Sequence, residues 1–156
     1  MPTVLIADDD ADHRELIMLA LTRLGHEVVE AADAESAQRA VDAGGIDAVL
    51  LDVRMPGASG IELCRRLRTE PATAHLPIML VSADVNGHRI LAGLDAGADD
   101  YLTKPYQRAE LGNRVELLLN RRGAAKPAAA AQAALLAARA VLPRGVPLPR
   151  PVRRTA

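Results

Sequence analysis

The chain has 156 residues and a mass of 16.5 kDa, the size of one domain with a sizeable buried core, and its two Tyr are its only aromatic side chains. Such a core is built from Val, Leu, Ile, Ala and Met, and stacking on nucleic-acid bases is not expected as a main activity. The net charge of −1 conceals an asymmetry: residues 1–116 carry all 20 acidic and 11 basic side chains, a net of −9, whereas residues 117–156 carry eight basic and no acidic ones, a net of +8.

In chain order, TVLIA (3–7) is an apolar run that predicts a strand, and a helical pattern follows near 12–24, stopped by Gly25. HEVVEA (26–31) predicts the second strand, with a helix over 34–43 ending at Gly44. DAVLLD (47–52) predicts the third strand, followed by a helix over 60–69. Cys64, in IELCRRL, lies on the apolar side of that helix and reads as a buried, inert thiol; one cysteine cannot form a disulfide within the chain. PIMLVS (77–82) and DYLT (100–103) predict the last two strands, with a helix over 88–97 between them. A fifth helix is expected at 107–121, where Leu111, Val115, Leu118 and Leu119 recur at helical spacing.

The continuously apolar strands suit a parallel sheet covered on both faces, and alternating strands and helices imply a doubly wound α/β fold with its ligand site at the carboxyl ends of the strands. The tail, 122–156, is rich in Ala, Pro and Arg, with five Pro after Lys126. It is expected to be disordered, with a transient helix around 128–142, because its few large apolar residues cannot build a core. The N-terminus has no basic segment leading into an apolar one, and outside the Ala-dominated tail no apolar run is long enough for a membrane span, so a soluble cytoplasmic protein is expected.

The polar residues that look out of place gather at the predicted strand ends: Asp8, Asp9 and Asp10 after the first, Asp52 ending the third, Ser82 ending the fourth, and Lys104 followed by Pro105 after the fifth. Carboxylates crowded at a strand end repel one another and lose hydration unless a cation compensates. Acids suited to a hard divalent cation, with a hydroxyl and an ammonium for an anionic group, make a coherent set. Asp10 has no role in it beyond a helix cap. His13, His26, His75 and His88 lack metal-ligand spacing and read as surface or packing residues.

Taken together, LIADDD, LLDVRMPGASGIEL, IMLVSA and GADDYLTKPY resemble the receiver domain of two-component response regulators over residues 2–121. The resemblance implies a flavodoxin-like sheet of strand order 2-1-3-4-5 and a receiver domain at 1–121. It implies that Asp52 accepts a phosphoryl group and that Asp9, Asp52 and the Arg54 backbone carbonyl hold Mg²⁺, with Asp8 reaching it through water. Lys104 and Ser82 would contact phosphoryl oxygens, and a cis Lys104-Pro105 bond is expected. Ser82 and Tyr101 would form the switch that changes the surface of the fourth helix, fifth strand and fifth helix.

A histidine kinase or histidine phosphotransfer protein would be the phosphodonor, and a downstream protein the target. Such a protein catalyses its own phosphorylation and dephosphorylation and is not otherwise an enzyme. In relatives that dimerise through the switch surface, three salt-bridge pairs do so; Glu110, Arg114, Asp100 and Arg121 match that pattern, but Ile90 and Ala96 replace two charged partners, so a monomer or weak dimer is expected. Arg54 and Asp84 are expected to pair across the site's opening. Two other functions are weaker: a DNA-binding regulator using the basic tail lacks a helix-turn-helix or winged-helix pattern, and an Asp-nucleophile phosphohydrolase would have Asp where Arg54 stands.

Overall fold

The computed structural model describes residues 1–83 and 86–121. The tail from 122 onward, and the Asp84 partner expected for Arg54, lie outside them. The elements run Thr3–Ala7 (β1), Ala11–Arg23 (α1), Glu27–Ala31 (β2), Ala34–Asp42 (α2), Ala48–Asp52 (β3), Gly60–Thr69 (α3), Ile78–Ser82 (β4), Gly87–Asp95 (α4), Asp100–Thr103 (β5) and Arg108–Asn120 (α5). Every strand pairing is parallel and the order is β2-β1-β3-β4-β5. The bounds differ from those read in the sequence by one or two residues at several ends, where helices and strands begin and stop gradually.

Alternation along the strands divides the core in two. Val4, Ile6, Leu50, Met79, Val81 and Leu102 face α1 and α5, packing against Ile17, Leu21, Val115 and Leu118. Leu5, Leu51, Ile78, Leu80 and Tyr101 face the other way, against Ala37 of α2, Leu63 and Leu67 of α3 and Ile90 of α4. The inner strands β3 and β4 are buried at every position, while edge strand β2 exposes Glu27 and Glu30. Burying one such Leu or Ile side chain contributes roughly 1.5–3 kcal/mol. Charges on the edge strand discourage pairing with another chain.

Helix starts are set by short polar side chains. Asp10 caps α1 by accepting from the backbone N–H groups of Asp12 and His13, Asp33 and Ser36 form a reciprocal box on α2, and Ser59 caps α3. On the face opposite α1, Arg68 of α3 donates to the carbonyls of Gly97, Ala74 and Leu76 and to Asp99 Oδ2, which also accepts from the Ile78 N–H. Those bonds tie the end of α3 to the entries of β4 and β5. Among the described residues no helix is long and apolar enough to cross a membrane.

Candidate functional site

All five strands point their carboxyl ends to one edge, and β3 occupies the centre, so residues just past β1, β3, β4 and β5 share one crevice. Asp52 closes β3. Its Oδ1 accepts from the Arg54 N–H at 3.0 Å, and its Oδ2 lies 3.0 Å from Lys104 Nζ. Asp8 follows β1 and is 2% exposed; the Asp10 N–H donates to its Oδ1 at 2.9 Å, and Lys104 Nζ stands 3.5 Å from its Oδ2. Asp8, Asp9 and Asp52 each offer a carboxylate oxygen within 4.8 Å of the others, with Asp9 exposed to solvent. Lys104 sits in a loop entered through a cis Lys104-Pro105 peptide.

Three carboxylates against one ammonium leave the cluster two negative charges in excess. The donor set is all oxygen, which suits a hard divalent cation such as Mg²⁺ better than a metal preferring nitrogen or sulfur. Burial pushes the Asp52 carboxyl above its usual range, helped by the Asp8 charge and opposed by the Arg54 N–H and Lys104. Burial works the same way on Asp8, yet hydrogen bonds from His13 and the Asp10 N–H, with Lys104 nearby, outweigh it and hold Asp8 well below the usual range. One carboxylate is firmly ionised and the other more readily protonated.

Ser82 ends β4 and is buried, with its register partner Thr103 on β5. Tyr101 lies on the α4 side of the sheet, 1% exposed, and is paired in register with Leu80. The residues singled out from the sequence therefore fall at one edge of the sheet, except Tyr101, which sits within the core beneath α4.

Two residues at the site carried no role in the sequence reading. His13, read there as a surface or packing residue, bonds Asp8 Oδ2 through Nδ1, and its Nε2 lies 2.6 Å from the Tyr106 hydroxyl. Burial and the Asp8 charge push the Tyr106 phenol up to about 12, so it stays protonated. Both rings line a cleft of about 640 Å³ between α1 and the β5–α5 loop, together with Leu16, Lys104 and Arg108. The sequence signal was slight: His13 is one turn into α1 from the Asp cluster, and Tyr106 is two residues beyond Lys104.

On the face formed by α4, β5 and α5, Arg114 Nη1 lies 2.8 Å from Asp100 Oδ1 and Arg114 Nη2 3.2 Å from Glu110 Oε1. Arg121 Nη1 donates to the Asp99 carbonyl at 3.1 Å. Ile90 and Ala96 are buried against the sheet, so the positions lacking charged partners serve the core of this chain.

Residues 4–116 match the family described as the response regulator receiver domain. The phosphate regulon transcriptional regulatory protein PhoB of Pseudomonas aeruginosa is 41% identical over 121 residues, covering 78% of this chain and 53% of that protein. The chain spans about half the length of the curated relatives it matches. The receiver domain of the Francisella response regulator 1452 superposes with a TM-score of 0.73 at 33% identity, covering 78% of this chain and 98% of that one. The receiver domain of the sensor histidine kinase PA1611 of Pseudomonas aeruginosa, with a magnesium ion coordinated in its active-site cleft, has a TM-score of 0.71 at 29% identity, covering 76% and 98%.

Proposed function

Since the chain belongs to the response regulator receiver domain family, we propose that Asp52 is its phosphoryl acceptor and that the chain is a switch thrown by a histidine kinase or histidine phosphotransfer protein. The observation that carries this reading is the setting of Asp52, whose Oδ2 lies 3.0 Å from Lys104 Nζ and which offers a carboxylate oxygen within 4.8 Å of carboxylate oxygens of Asp8 and Asp9. An Asp52 oxygen attacks phosphorus, a new oxygen–phosphorus bond forms, and the bond to the donor imidazole breaks, the imidazole leaving with a proton. The Arg54 N–H holds the other oxygen and orients the carboxylate.

Asp9, Asp52 and the Arg54 carbonyl would hold Mg²⁺, with Asp8 contributing through water. Bound there, the ion supplies positive charge that offsets repulsion between the carboxylates and an incoming phosphoryl group. Lys104 would leave Asp52 for a phosphoryl oxygen once the carboxylate is esterified, and the Ser82 hydroxyl would donate to a second oxygen. Drawing Ser82 toward the phosphoryl group would bias Tyr101 and shift the surface of α4, β5 and α5, changing affinity for a downstream protein.

The reading extends to a chain that acts in the cytoplasm as a monomer or weak dimer through that surface, with Glu110, Asp100 and Arg114 available to exchange partners. Incubating the protein with MgCl₂ and acetyl phosphate tests the chemistry. One hydroxylamine-labile phosphoryl group should appear, and both Asp52→Asn and chelation of the metal should abolish it. Undiminished labelling of Asp52→Asn would refute the assignment.

A further inference from the structure

We propose that His13 is a positioning residue for the acidic site: through the chain Tyr106 hydroxyl, His13 ring, Asp8 carboxylate, it fixes Asp8 for cation binding and reserves Lys104 for Asp52. The inference rests on the reading of the acidic cluster as a Mg²⁺ site.

The proton positions follow from the partners. Asp8 is ionised and accepts only, so His13 Nδ1 donates to its Oδ2, and the ring's other nitrogen, Nε2, is hydrogen-bonded to the Tyr106 hydroxyl at 2.6 Å. Two segments distant in sequence thereby hold the ring from both sides, the β1–α1 loop through Asp8 and the loop after β5 through Tyr106. The ring is further constrained edge-on against Tyr106, with centroids 5.8 Å apart.

The consequence lies in how Asp8 shares its oxygens. His13 and Lys104 meet at Oδ2, while Oδ1 receives one backbone N–H. With Oδ2 bonded to His13, Lys104 stays 3.5 Å from Asp8 and makes its closer contact, 3.0 Å, with Asp52. Without the ring, Asp8 would be free to rotate and Lys104 to close on it, forming an internal ion pair that a divalent cation would have to break. Hydrogen-bond partners of metal-binding carboxylates commonly change metal affinity about 10- to 100-fold when removed.

A MgCl₂ titration of the unphosphorylated full-length chain, followed by backbone amide chemical shifts, tests this without a phosphodonor. His13→Leu should weaken Mg²⁺ binding about tenfold. His13→Asn, whose amide can still donate to Asp8, should recover most of the loss, and Tyr106→Phe should show a smaller loss in the same direction. His13→Leu binding within about twofold of the parent, or His13→Asn no better than His13→Leu, would overturn the positioning role. A parent chain with no Mg²⁺-dependent shifts at Asp8, Asp9 or Asp52 would instead remove the metal-site reading beneath it.

Discussion

Lys104 Nζ lies 0.5 Å nearer to Asp52 than to Asp8, at 3.0 Å against 3.5 Å, so one ammonium is divided unequally between two buried carboxylates. A flexible point charge in that position can follow negative charge as it moves from the carboxylate to a phosphoryl group. Lys104→Met should lower the rate of Asp52 labelling by acetyl phosphate on the order of 100-fold at saturating Mg²⁺. A time course of labelling checks this, and a rate within a few-fold of the parent would assign Lys104 to stability alone.

The raised carboxyl of Asp52 has a stability consequence of definite sign. The folded chain binds that proton more tightly than the unfolded chain does, so the group's contribution is fully present below the ordinary value of 3.8 and is lost as pH rises through the raised folded value. Asp52→Asn cannot ionise and should melt above the parent near neutral pH in metal-free buffer. The advantage should shrink as pH falls toward the ordinary carboxylate range. Thermal melts across that range measure it, and a difference independent of pH would mean that packing, not charge, separates the two chains.

Gly60 opens α3 directly against the end of β3. A Cβ there would stand 2.2 Å from the Asp52 carbonyl oxygen and 2.9 Å from its carbon, both backbone atoms that cannot swing aside. Gly60→Ala should therefore cost about 1–3 kcal/mol or more. Labelling should fall as well, because the displaced atoms belong to the proposed acceptor residue. Paired denaturant melts and labelling assays test both effects; an alanine variant as stable and active as the parent would contradict the contact.

The sheet and both core clusters draw their described members from residues 3–119. We propose on that basis that a chain ending at Arg121 folds and keeps Mg²⁺-dependent labelling of Asp52. Circular dichroism, melting and labelling of the shortened chain check it. Failure to fold would move the domain boundary into the tail.

The apolar runs TVLIA, AVLLD and IMLVS made the strands legible, because side chains covered on both sheet faces leave an unbroken apolar signature. Asp52, Ser82 and Lys104 stood out by terminating such runs. The bond between His13 and Tyr106 was not legible, since it joins residues 93 positions apart and exists only after α1 and α5 pack on the same sheet face. Arg68 was hidden for a related reason: three of its partners are backbone carbonyls, which carry no identity in a sequence. Ile90 shows the opposite case. By resemblance to the family it stands where a surface charge is expected, whereas in the fold it supplies α4 with its grip on the core.

Helix α4 rests on the sheet through Gly93, where even a methyl group would come within 2.5 Å of Leu80 Cδ1 and 3.5 Å of the Tyr101 ring. The close approach is to the Leu80 methyl, while the Tyr101 ring stands at ordinary contact distance from the same point. The seat of α4 is thus set by the absence of a side chain at 93, and a bulkier residue there would have to push Leu80 aside or lift the helix off the sheet, presetting the face that α4 offers before any signal arrives.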